Sequence, residues 1–210
     1  MTAAADVLLG LALLAALIDW WGVARERFSV EFVAKPLVDI ALIGTALAID
    51  TPDDVTRGLV VAALGAALVG DVVLSTPDAR FEVGIFATIV AQVLFAAALV
   101  DSVEPATAMV AALLYVGIGI GAAPQIIHGA RQQHPAVGLL VVVHLATVAA
   151  LGIFAAGTGV LIAAIGGALF VASATLLTWN RFVSPAPGGN VLVHVTDHMG
   201  QIGLVLWLAT

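Results

Sequence analysis

Apolar stretches of about twenty residues, separated by short polar breaks, run the length of the chain. An α-helix needs about 20 mostly apolar residues to cross the hydrocarbon core of a bilayer. Eight stretches read that way: residues 4–23, 32–49, 58–75, 82–100, 106–127, 136–156, 159–179 and 191–209. The run from Ala136 to Trp179 is too long for one crossing, so it divides at Gly157-Thr158. A membrane β-barrel would instead show short segments of alternating polarity. The pattern therefore predicts an all-α, polytopic membrane helix bundle with eight transmembrane helices. The connections are short, and residues 1–210 form one integral-membrane domain with no room for a soluble one.

Composition supports this reading. Only 10% of residues are charged and 62% are apolar, against about 25% charged in a soluble domain. Fourteen acidic residues outnumber seven basic ones, for a net charge of −7. That leaves no basic surface for nucleic acid. With no cysteine, disulfides, thiolate metal sites and a cysteine nucleophile are excluded. The 21 glycines, among them Gly65, Gly70, Gly166 and Gly167, read mostly as close-packing positions between helices.

The basic residues carry a topology signal. Arg25, Arg27, Lys35, Arg80, Arg131 and Arg181 fall at the odd-numbered connections, and Arg57 alone falls on the other side. The positive-inside rule then places the odd connections in the cytoplasm and both termini outside, in a multi-pass protein of the cell membrane. No basic segment precedes the first apolar run, so that run reads as a retained helix and not a signal peptide.

Ionisable groups inside hydrocarbon cost at least about 2.5–3.5 kcal/mol on insertion scales and mark functional sites by default. Here they share one depth. Asp19, Asp39, Asp71, His144, His194, Asp197, His198 and Gln201 all fall in the cytoplasmic half of their spans, and Gln92 lies nearer the middle. Several have plain structural readings. Asp39 follows Lys35 by four residues and can pair with it on one helix face. Asp19 sits beside Trp20 and Trp21, where an interfacial belt would wet it. His128 and His134 flank a connection and read as solvated. His144 alone on an apolar face reads first as a hydrogen-bonded structural histidine. Asp71 has no base within a helical turn, and burial would favour its protonated form, as a general acid requires.

The densest polar run is His194-Val195-Thr196-Asp197-His198-Met199-Gly200-Gln201. His194 and His198 can face one point on a helix, as can Asp197 and Gln201. Two histidines four apart is also metal-ligand spacing, but a zinc site would need a third ligand such as Asp71 or His144. We assign no metal and no cofactor.

Four segments give the chain a resemblance to the YhhN family of membrane proteins and its animal lysoplasmalogenase relatives. Lys35-Pro36-Leu37 resembles the family's K-P-L signature. Gly70-Asp71-Val72-Val73-Leu74 with Phe81 and Gly84 resembles its G-D-x-x-L…F-x-x-G block. Gly167 to Ser173 with Asn180-Arg181-Phe182 resembles its G-A-x-x-F-x-x-S-D…N-K-F block, and Gly200-Gln201 resembles its Y-x-x-A-Q ending. Three departures stand out: Ala174 replaces an acid, Gln92 replaces a histidine, and Asp197-His198 replaces an aromatic pair.

The resemblance implies an integral-membrane lipid hydrolase that cleaves the vinyl-ether bond of lysoplasmalogens by carboxylate acid/base chemistry, releasing a fatty aldehyde. On this reading Asp197 stands in for the missing acid. Asp71 and Asp197, with His198, are the expected catalytic groups. Lys35, Asp39, Gln92, His144, Ser173, Asn180, His194 and Gln201 are the expected substrate-binding groups. The partners are a lysophospholipid or other lipid substrate and the bilayer. Two other readings stay open: a zinc-dependent intramembrane hydrolase of the ceramidase-like type, and a lipid-binding or transport protein without chemistry. A transporter should show helices broken at matching places in two halves, and Pro124 is the only candidate break.

Overall fold

The computed structural model describes residues 1–76 and 81–210. Among them are eight α-helices and no strand: α1 Ala3–Ala24, α2 Phe28–Ala48, α3 Asp54–Leu74, α4 Phe81–Leu99, α5 Pro105–Gln133, α6 Pro135–Gly157, α7 Leu161–Phe182 and α8 Gly189–Trp207. Each expected apolar stretch becomes one helix, and α6 and α7 do part at Gly157-Thr158. The largest extension is in α5, which runs on through Pro124 to Gln133. His128 therefore lies on an exposed helical turn, not in a connection, while His134 caps α6 by accepting from the Ala136 amide. Arg80, one of the residues behind the expected orientation, lies outside the described residues.

Six of these helices are long and apolar enough to cross a membrane: α1, α3, α4 with its short 3₁₀ extension, α5, α6 and α7. By that measure the count is six, not the eight expected. The other two, α2 and α8, are the helices that carry the most polar chemistry: Glu31, Lys35 and Asp39 in α2, and His194, Asp197, His198 and Gln201 in α8. α2 is set apart by its three charged side chains, and α8 by the polar run that lowers its mean hydropathy.

Sequential helices pair as antiparallel hairpins, and the hairpins close into a ring. α2 packs on α3, α4 on α6, α6 on α7, and α8 back on α1 and α2. α5 touches only α6 and α7 among the helices it packs on substantially, and its outward face, from Met109 to Ile120, is largely exposed. The ring thus gives seven helices an inner face. A core of Leu42, Ile49, Leu64, Phe95, Leu151 and Leu204 fills one end of it, leaving the polar residues at the other.

Glycine sets the contact between α7 and α8. A Cβ on Gly200 would lie 2.9 Å from the Phe170 amide nitrogen, one on Gly166 2.9 Å from the Leu204 nitrogen, and one on Gly203 2.7 Å from the Gly166 Cα. The α7 and α8 backbones therefore touch, as small residues permit in lipid. Gly65 departs from the packing reading, since nothing lies within 4 Å of its Cβ position. Gly200→Ala should lower the thermal unfolding midpoint in detergent, through overpacking of about 1–3 kcal/mol. Gly65→Ala should not lower it. Equal midpoints for the two variants would contradict a backbone-tight α7–α8 seam.

Candidate functional site

Antiparallel alternation brings the ends of α1, α3 and α7 and the starts of α2, α4, α6 and α8 to one end of the bundle. Asp19, Lys35, Asp71, His144, Asn180 and His194 all sit within that end. There a cavity of about 240 Å³ is walled by residues of seven helices, α5 being the exception. Its polar lining is Glu31, Lys35, Asp71, Ser75, Thr88, His144, Ser173, Asn180, Asn190, His194 and Asp197; Phe170, Leu74 and Leu177 are among its apolar walls.

Of the residues expected at the site, seven line this cavity: Lys35, Asp71, His144, Ser173, Asn180, His194 and Asp197. The other four, Asp39, Gln92, His198 and Gln201, are buried behind the wall. Gln92 donates from Nε2 to His144 Nδ1 at 3.2 Å and accepts at Oε1 from Thr147 at 2.5 Å. It thereby fixes the ring of a histidine that does line the cavity. Gln201 donates from Nε2 to Asp197 Oδ2 at 3.3 Å. His198 accepts at Nδ1 from the Trp20 indole at 3.1 Å and stacks on that ring. Asp39 is fully buried, and neither of its carboxyl oxygens has a hydrogen-bond partner among the described residues.

Lys35 does not pair with Asp39. Its Nζ crosses to Asp71 Oδ1 at 2.9 Å, with both side chains nearly excluded from solvent. The sequence shows no base near Asp71 because the base arrives from α2, not from α3 itself. Lys35 is the only lysine or arginine among the described lining residues, against Glu31, Asp71 and Asp197. The wall is therefore net acidic.

Of two residues read as interfacial, Asp19 is interior and Trp20 is half-buried. Asp19 is fully buried, and its Oδ2 lies 2.7 Å from His194 Nδ1. Trp20 donates from its indole nitrogen to His198 Nδ1. Glu31 went unnoticed in the sequence, yet it lines the cavity with its Oε1 3.6 Å from His194 Nε2. A histidine at membrane depth needs a partner at the same depth on another helix, and that requirement was the available signal for Asp19.

Ser173 and Asn180 hold the scaffold as well as lining it. Ser173 Oγ donates to the Val193 carbonyl at 3.0 Å, strapping α7 to α8. Asn180 Oδ1 accepts from the Ala186 amide at 3.0 Å, which pins the α7–α8 connection.

The two histidines of α8 take separate partners. Their rings meet edge to face at 6.1 Å, and each is engaged by its own partner from α1. Among the described residues no group of three His, Asp or Glu converges as metal ligands.

The YhhN family profile matches residues 30–208, most of the chain and every lining residue except Val23. This chain belongs to the YhhN family. Among curated proteins and among solved structures, none matches it. The family match begins after α1, so Asp19 and Trp20 lie outside the matched residues.

Breaking a buried ion pair leaves an uncompensated charge and costs about 3–5 kcal/mol, whereas replacing both partners by apolar groups is often neutral or better. Lys35→Met should therefore destabilise the protein strongly in a detergent unfolding titration. Lys35→Met combined with Asp71→Leu should recover most of that loss. A double variant as unstable as the sum of the two single variants would contradict the pairing.

Proposed function

We propose that this YhhN protein is a membrane-embedded lipid hydrolase that opens the vinyl-ether bond of lysoplasmalogens. The observation that carries the reading is the shared cavity. Two carboxylates from different helices, Asp71 and Asp197, line one small polar chamber with a lysine and two histidines, in a molecule otherwise built of apolar helices.

The chemistry needs a proton donor and a group that offsets positive charge. Protonating the carbon of the vinyl ether yields an oxocarbenium ion. Water adds to that ion, and the resulting hemiacetal separates into an aldehyde and a glycerophospho-base. The two acids differ in their surroundings. Asp71 is bound by the Lys35 ammonium, whereas Asp197 has only the Gln201 amide in hydrogen-bond contact. Asp197 therefore suits the proton-donor role, and Asp71, whose carboxylate Lys35 holds in place, faces the developing cation. His144 is turned by Gln92 so that its Nδ1 accepts. Its Nε2 is then the donor, buried at the cavity wall and directed toward the Ala174 backbone.

The cavity holds the reacting end of a lysolipid, and the hydrocarbon chain remains among the helices or in the bilayer. We infer that the cavity end faces the cytoplasm, because Arg25, Arg27, Arg131 and Arg181 lie at that end and Arg57 at the other. We also infer that α2 and α8 complete an eight-span bundle. At about 1.5 Å per residue their 21 and 19 residues reach nearly the thickness of the hydrocarbon core, about 30 Å. Their polar side chains turn inward to the ring.

Asp71→Asn and Asp197→Asn, purified separately and given a 1-alkenyl-glycerophosphoethanolamine, should each release aldehyde at least about 10²-fold more slowly than the parent protein. Mass spectrometry of the aldehyde and the glycerophospho-product reads the outcome. Undiminished turnover in both variants would refute the paired-acid mechanism.

A further inference from the structure

The acid pair accounts for a proton donor and for charge stabilisation, but not for the group that takes a proton from the attacking water. His194 lies between two carboxylates that the pair does not use. Asp19 Oδ2 stands 2.7 Å from Nδ1, and Glu31 Oε1 stands 3.6 Å from Nε2. One turn positions both acids. α1 and α2 form a hairpin closed by the Arg27 amide bonding the Gly22 carbonyl at 2.8 Å, with Glu26 at φ 53° in the bend. Asp19 lies just before that bend and Glu31 just after it. The hairpin therefore grips an α8 histidine between its two arms.

A carboxylate has only lone pairs to offer, so the short contact with Asp19 places hydrogen on Nδ1. Nε2 makes no hydrogen bond, because Glu31 Oε1 at 3.6 Å is beyond hydrogen-bond reach, and it belongs to a residue that lines the cavity. In hydrolases with this arrangement the buried carboxylate sets the tautomer of the base and steadies the imidazolium that forms; its amide replacement gives the wrong tautomer. Here Glu31 adds a second negative charge on the far side of the ring. The other charged or titratable neighbours are His198, whose Nδ1 is 3.9 Å from the same Asp19 oxygen, and Lys35, Asp71 and Asp197 along the cavity wall.

We propose that His194 is the base of the hydrolytic step, that Asp19 is its positioning residue, and that Glu31 stabilises the imidazolium at the cavity wall. This rests on the vinyl-ether hydrolase reading. The proton count closes. Asp197 gives its proton to the vinyl carbon, and water bonds to the cationic carbon while its proton passes to His194 Nε2. The hemiacetal hydroxyl then returns a proton to the Asp197 carboxylate as the carbon–oxygen bond breaks. The departing glycerol oxygen takes the proton from His194. One water is consumed and both residues return to their starting forms.

Two measurements on the full-length protein in detergent test this. The first needs no turnover: ¹⁵N NMR of the histidine side chains, with His194 assigned by its loss in His194→Gln. The parent protein should show His194 hydrogen on Nδ1, and Asp19→Asn should move it to Nε2. Hydrogen on Nε2 in the parent protein at neutral pH, alone or together with Nδ1, would overturn the proposal even if the variants fail to fold. The second is hydrolysis of a 1-alkenyl-glycerophosphoethanolamine in D₂O. His194→Gln and Asp19→Asn should each lower kcat by roughly 10²-fold with KM little changed. A stalled water step lets the cation lose a proton and revert, so recovered substrate should carry deuterium at the vinyl carbon. A merely structural role would not produce that label. Parent-level kcat in both variants, or slow variants whose recovered substrate carries no label, would overturn the base assignment while leaving the hydrolase reading intact. No aldehyde from the parent protein would overturn the hydrolase reading, and the base assignment with it.

Discussion

A charge in hydrocarbon is expensive unless another group answers it, and that cost organises this protein. Lys35 on α2 and Asp71 on α3 would each be costly facing lipid, and at 2.9 Å they compensate each other inside the ring. Asp19 and His194 do the same between α1 and α8. These two contacts tie four helices together at one end. The glycine seam between α7 and α8, and the Ser173 bond to the Val193 carbonyl, hold α8 at the depth where its histidines and Asp197 meet the others.

The same constraint explains the division between a dry end and a wet end. Beyond Gln92 the interior is filled by Leu, Ile and Phe, and the polar groups there are few and locally bonded. Toward the other end the interior opens into a chamber walled by seven helices. Every polar residue that lines this chamber falls within the stretch that matches the YhhN family. α5, which has no share in the chamber, is also the helix least covered by its neighbours.

Much of the fold was legible along the chain, because a twenty-residue apolar period is a local signal and the connections are short. Each helix begins and ends close to where the apolar runs do. Depth was legible too: alternation of direction alone placed Asp71, His144 and His194 at one level. Partnership was not. Spacing along one helix suggested Lys35 with Asp39 and His194 with His198, but the structure pairs Lys35 with Asp71 and His194 with Asp19. Contacts between helices depend on rotation about each axis, which a nearly uniform apolar composition does not encode. The spacing rule therefore favoured neighbours in sequence. The tryptophan beside Asp19 misled for the same reason, since an aromatic near a helix end looks alike whether it faces headgroups or a buried histidine.

The claim beneath all of this is that the polar end of the ring is a chamber reached by water from one side of the membrane. Because the chain has no cysteine, single thiols report on it without background. Ala174→Cys, in the cavity wall, should react in sealed vesicles with a small charged thiol reagent added to one side only, and a lysolipid should slow that reaction. Gly65→Cys, on the open outer surface of α3, should stay unreactive from both sides. An Ala174→Cys thiol inert from both sides would leave the bundle without a working chamber.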